Sequence, residues 1–98
     1  MNPAKVQRDR LTRLTDLPNV GPATASMLES IGIKAPQHLA GKKPLALYQS
    51  LCRKKGVRLD PCVLDVLISI TRFMEGESPK VWWEYTSERK RMSGVRLK

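Results

Sequence analysis

The chain has 98 residues, 41% of them hydrophobic, with 18 Lys and Arg set against 9 Asp and Glu. That length holds one domain with a single modest core, and the apolar fraction excludes wholesale disorder. A net charge of +9 points to a polyanionic partner, of which nucleic acid is the commonest.

The segmentation expected is a flexible N-terminus over 1–7, a helical domain over 8–88 and a basic tail over 89–98. Leu11, Leu14 and Leu17 recur with Arg10 and Arg13 between them, which predicts a helix over 8–17 with a basic outer face. Pro18 ends that pattern, and Asn19, Val20 and Gly21 form a turn in which Gly21 supplies backbone freedom. Pro22 suits a first helical position, so a second helix runs over 22–31 with Ala25, Leu28 and Ile31 inward and Gly32 as its stop. Together the two predict a tight helical hairpin.

Ala35-Pro36 opens a short helical turn carrying Leu39 and closed by Gly41, and Lys42-Lys43 follow as an exposed pair. Pro44 begins a third helix that ends near Gly56. Asp60-Pro61 reads as an N-cap and first position of a helix running to about Glu75. That helix is apolar nearly all round, with Asp65, Ser69 and Arg72 on one narrow solvent stripe, so it is the central strut of the core. Ser78-Pro79 marks a boundary before Trp82, Trp83 and Tyr85, and residues 86–98 lack helical periodicity. The fold class expected is all-α, a compact single domain of about five short helices.

Charge is unevenly placed. Residues 42–58 hold six cations and no acid, and residues 1–13 and 80–98 are also basic. A helix start with unpaired amides is a ready phosphate site, and the turn before Pro22 is one. Its amides and the cations Lys42, Lys43, Arg53, Lys54 and Lys55 are the candidate nucleic-acid contacts, although each cation also fits a solvated helix face.

Leu17-Pro18-Asn19-Val20-Gly21-Pro22-Ala23-Thr24-Ala25 resembles the turn of helix-hairpin-helix nucleic-acid-binding modules. Leu39-Ala40-Gly41, Leu47-Tyr48, Leu51-Cys52, Asp60 through Val66 and Trp82-Trp83 are similar to a small bacterial pathogenicity-locus family, some members of which are labelled mitomycin-resistance proteins. The resemblance covers roughly residues 11–88. It implies a SAM-like orthogonal bundle that binds DNA without sequence preference, with a place beside DNA repair or damage tolerance. It puts phosphate contacts on Asn19, Val20, Gly21, Ala23 and Thr24, with Pro22 shaping the turn, and allows a monovalent cation on the turn carbonyls. Asn19 departs from the motif by standing where the first Gly usually lies, and Ala23 by standing where many hairpins carry a cation.

Cys52 and Cys62 fit small apolar core positions. Zinc is not expected, because their spacing is wrong and His38 is the only histidine. Trp82 and Trp83 fit either a cap on the core or a stacking platform for bases. No Gly-rich phosphate loop, metal quartet or nucleophile–base arrangement occurs, so a non-enzymatic protein is expected, without a required cofactor. Phosphate-directed contacts suit duplex DNA, single-stranded DNA and RNA alike. A protein-interaction module using the hairpin or the Trp82-Trp83 end is the alternative. No apolar run approaches the roughly 20 residues of a bilayer span and no signal-peptide core follows Met1, so a cytoplasmic location without membrane contact is expected.

Overall fold

A computed structural model describes residues 11–91, and these are all-helical, with four α-helices, three 3-10 turns and no strand. The helices are α1 (Pro22–Glu29), α2 (Pro44–Lys55), α3 (Pro61–Met74) and α4 (Thr86–Arg91), and the 3-10 turns are Leu14–Asp16, Pro36–Leu39 and Trp82–Tyr85. The expected segment 1–7, residues 92–98 of the tail expected over 89–98, and the start of the first expected helix with Arg10 lie outside the described residues.

α3 is the strut that its sequence predicts. Leu64, Leu67, Ile68, Ile70 and Phe73 are all buried on it, each such side chain contributing about 1.5–3 kcal/mol on leaving water. α2, α4 and the two later 3-10 turns pack against it, and Leu17, Val20 and Leu28 join the same core cluster. The Asp60 carboxylate accepts from the Cys62 amide at 2.8 Å, closing the helix start as the Asp-Pro pair predicts. α2 ends on Gly56 at φ +72, where the left-handed backbone favours glycine.

Three local expectations are corrected. The helix expected over 8–17 survives among the described residues only as the 3-10 turn Leu14–Asp16. Asp16 is the cause: its Oδ2 accepts from the amides of Thr12 and Arg13, at 3.0 and 2.8 Å, taking those donors out of any helix. A spacing of three residues between leucines is also the period of a 3-10 turn, not of an α-helix. α1 stops at Glu29 rather than residue 31, because Gly32 at φ +89 lets the Ile33 amide turn back to the Leu28 carbonyl at 3.0 Å.

The third correction concerns the polar residues of α3. Asp65 and Ser69 do not face solvent; both are buried, Asp65 completely at 0% exposure. Asp65 Oδ1 receives Arg89 Nε at 2.9 Å, and its Oδ2 receives the Thr86 hydroxyl at 2.7 Å. Arg72 pairs with Glu88 and lies 3.4 Å from Glu77. These long-range bonds hold residues 86–91 in a helix, where sequence periodicity predicts an irregular tail.

Removing Arg89 leaves a buried carboxylate without its cation, a change that typically costs about 3–5 kcal/mol. Arg89→Ala is expected to lower stability by about 3 kcal/mol or more, read as a shift in the urea unfolding midpoint; a change below about 1 kcal/mol would show that the pair is not buried in solution.

The Tyr85 hydroxyl donates to Glu77 Oε1 at 2.8 Å and, with Arg72, holds Glu77 below its ordinary value of 4.5. A depressed folded-state value means that this contribution is complete above pH 4.5 and is lost as pH falls through the lowered value. Wild-type stability should therefore decline in acid below that point, and Glu77→Gln should flatten part of the decline; parallel curves for the two proteins would count against the Glu77 contribution.

Candidate nucleic-acid interface

The turn from Asn19 to Thr24 is held by the side chain of Asn19, which the sequence places among the phosphate contacts and at the position of the motif's first Gly. Asn19 adopts a left-handed backbone, φ +65, and its Nδ2 donates to Ser69 Oγ at 3.1 Å and to the Lys80 carbonyl at 2.7 Å. One asparagine thus makes the sharp bend and ties it to α3 and to the chain entering the Trp82–Tyr85 turn. Gly21, expected to supply the freedom, sits at φ −96 and ψ −176, an extended conformation open to any residue. A Cβ built there meets nothing within 4 Å. The signal for this exchange was present, since Asn is the residue most tolerant of left-handed backbone after Gly.

Val20 is fully buried, at 0% exposure, so it anchors the turn and does not itself face solvent. Pro22 and Ala23 are exposed and Thr24 is half-buried. The first bond of α1 runs from the Ala25 amide to the Gly21 carbonyl at 3.0 Å, and no side chain caps this terminus. The amides of Ala23 and Thr24 therefore have no intrahelical acceptor.

α2 begins in the same way. Lys43 is its N-cap without a side-chain bond, Pro44 is its first residue, and the first helical bond joins the Leu47 amide to the Lys43 carbonyl at 3.1 Å. The amides of Leu45 and Ala46 are thus unsatisfied by the helix, directly beside Lys42 and Lys43. This second open terminus was missed in the sequence, although Lys-Pro before an apolar run carries its signature. α3 differs: Asp60 fills its start.

The remaining candidates separate into two places. Ile31 and Ile33, after α1, share a pocket of about 230 Å3 with Lys42, Lys43, Ala46, Leu47 and Ser50. Thr24, Met27 and Leu28 share a groove of about 200 Å3 with Leu51, Cys62 and Trp82. α1 and α2 therefore run in opposite senses. Lys42 and Lys43 stand at the far end of α1 from the turn, about 12 Å away for eight residues. Lys54 and Lys55 lie at the opposite end of α2, past Leu51. Arg53 reaches back along the helix, its Nη2 3.3 Å from Ser50 Oγ.

Among the described residues, Lys42, Lys43, Arg53, Lys54 and Lys55 are exposed and make no ion pair, whereas Arg13, Arg72, Lys80 and Arg89 are all engaged with carboxylates. Arg89, counted by sequence with the basic tail, is thereby withdrawn into the fold. Cys52 and Cys62 are free thiols, half-buried. Hydrogen bonding to Asp60, then burial, pushes the Cys62 thiol up, away from a reactive thiolate. Trp83 is 60% exposed and meets Trp82 edge-on, with centroids 5.5 Å apart. No helix among the described residues is long and apolar enough to cross a membrane.

The description "pathogenicity locus" belongs to a family that matches residues 7–91. The chain belongs to this family. The matched span ends at the last residue of α4, so the pathogenicity locus unit includes the helix held by Arg89. The chain is also 43% identical over 79 residues to the mitomycin resistance protein McrB of Streptomyces lavendulae, covering 81% of this chain and 75% of that protein. No solved structure matches significantly.

The turn geometry yields paired outcomes for urea unfolding. Asn19→Ala loses two hydrogen bonds and forces a left-handed alanine, at a cost of about 2–3 kcal/mol, while Asn19→Gly keeps the backbone relaxed and costs about 1 kcal/mol less. Gly21→Ala should fall within about 0.5 kcal/mol of wild type, reduced chain entropy offsetting a poorer N-cap. A larger loss at position 21 than at 19 would reverse the assignment.

Proposed function

We propose that this protein binds DNA without reading its sequence, as a helix-hairpin-helix type module with an abbreviated first helix and no catalytic step. The observation that carries the reading is that, among the described residues, five exposed cations without ion pairs lie at the two ends of α2, Lys42 and Lys43 beside its own uncapped start, while the start of α1 is uncapped as well. Exposed amides and lysines both suit phosphate oxygens. Such contacts fix the position of a strand without distinguishing bases, and RNA phosphates would be engaged similarly. The name of the Streptomyces relative supports a place beside DNA repair or damage tolerance, and the site needs no cofactor for this role.

A second reading rests on Trp83, which is 60% exposed beside the groove that Trp82 lines. An exposed aromatic next to an apolar groove suits a protein partner, and an adaptor would use that end of the molecule.

Fluorescence anisotropy with labelled duplex separates the two. If about six cations reach phosphates, affinity should fall with salt at a log–log slope of roughly −5, and Lys42→Ala with Lys43→Ala should reduce the slope by about 2. Thr24→Glu, which puts negative charge at the α1 amides, should weaken binding several-fold in a folded protein. No binding at low salt would favour the adaptor, and unchanged affinity in Thr24→Glu would remove the turn from the interface.

A further inference from the structure

The pocket between the end of α1 and the start of α2 is more than a place for charge. Its floor is aliphatic, made by Ile31, Ile33 and Leu47, and Lys42 and Lys43 line it on one side. Ser50 also lines it, and its hydroxyl accepts from the Arg53 guanidinium at 3.3 Å, which brings that group to the edge of the pocket. No carboxylate lines this pocket. A bare phosphate would be served by the lysines alone and gains nothing from an apolar floor. A duplex presents paired, stacked bases that cannot enter it. A nucleotide whose base is unpaired offers an apolar face with an anion at each side, and Arg guanidinium planes are common partners of such splayed bases.

We propose that this pocket seats one unpaired base of single-stranded DNA, with its neighbouring phosphates on Lys42 and Lys43 and the Arg53 guanidinium against the base. The assignment rests on the nucleic-acid reading above and adds a strand preference to it. The volume of about 230 Å3 is enough for one base, so contact along a strand is a single anchored nucleotide flanked by phosphate contacts.

The test compares oligothymidylate with an abasic oligomer of equal length, which keeps every phosphate and removes every base. Wild-type protein should bind oligothymidylate about tenfold more tightly. Ile31→Ser, which makes the floor polar, and Arg53→Lys, which keeps the charge and loses the plane, should each reduce that ratio several-fold. Arg53 is exposed, so its variant remains informative if Ile31→Ser fails to fold. Equal affinity for the two oligomers would overturn the base seat while leaving phosphate binding intact. A ratio preserved in the folded variants would overturn the location. Failure to bind either oligomer or duplex at low salt would overturn the underlying reading together with this one.

Discussion

α3 is the element to which the rest of the chain is referenced, and its polar residues matter as much as its apolar ones. A buried carboxylate or hydroxyl is costly unless its hydrogen bonds are made. Asp65 satisfies that demand with Arg89 and Thr86, and Ser69 receives a bond from Asn19. No buried side-chain nitrogen or oxygen among the described residues is left without a partner. The anchors therefore do two jobs at once: they remove the penalty on α3, and they determine where the α1 turn and α4 can sit. A purely apolar strut would give burial without that registration.

The same bonds sort the charge. Asp16 is occupied by backbone amides and Asp60 by its own helix start, while Asp65, Glu77 and Glu88 take up Arg89 and Arg72. These five acidic groups are thus engaged in holding the fold. α2 contains no acid, and among the described residues its cations Arg53, Lys54 and Lys55 make no ion pair. Composition alone shows the excess; tertiary pairing decides which cations stay exposed.

How far the sequence reveals this depends on the range of the interactions responsible. α2 and α3 are legible because Pro at the first position, Asp60 before it and Gly56 after it act within one turn. α4 is not, because Thr86-Ser87-Glu88-Arg89 has no apolar period and is held by partners more than a dozen residues away. Asp65 reads as solvent-facing for the same reason: its partner Arg89 lies 24 residues away and leaves no local pattern. The bend before Pro22 falls where the sequence predicts it, but its mechanics are exchanged, with Asn19 in the left-handed position and Gly21 extended. The separation of Lys42-Lys43 from the turn is a consequence of the antiparallel passage of α1 and α2, which no local pattern encodes.

Three α-helices among the described residues open on proline, and a single preceding residue decides what each terminus can do. Proline removes one orphan amide and sets the backbone angle, so all three starts are equally well formed. Asp60 then gives α3 an internal anion, and that terminus is closed to any other. Gly21 and Lys43 provide no such group, and α1 and α2 keep unsatisfied donors at the surface. Stability alone would favour a capping side chain at both, since a good N-cap contributes about 1 kcal/mol over a poor one. Gly21 and Lys43 leave that contribution unmade, so the donors of both starts remain open to solvent, at the two ends of the antiparallel pair α1 and α2.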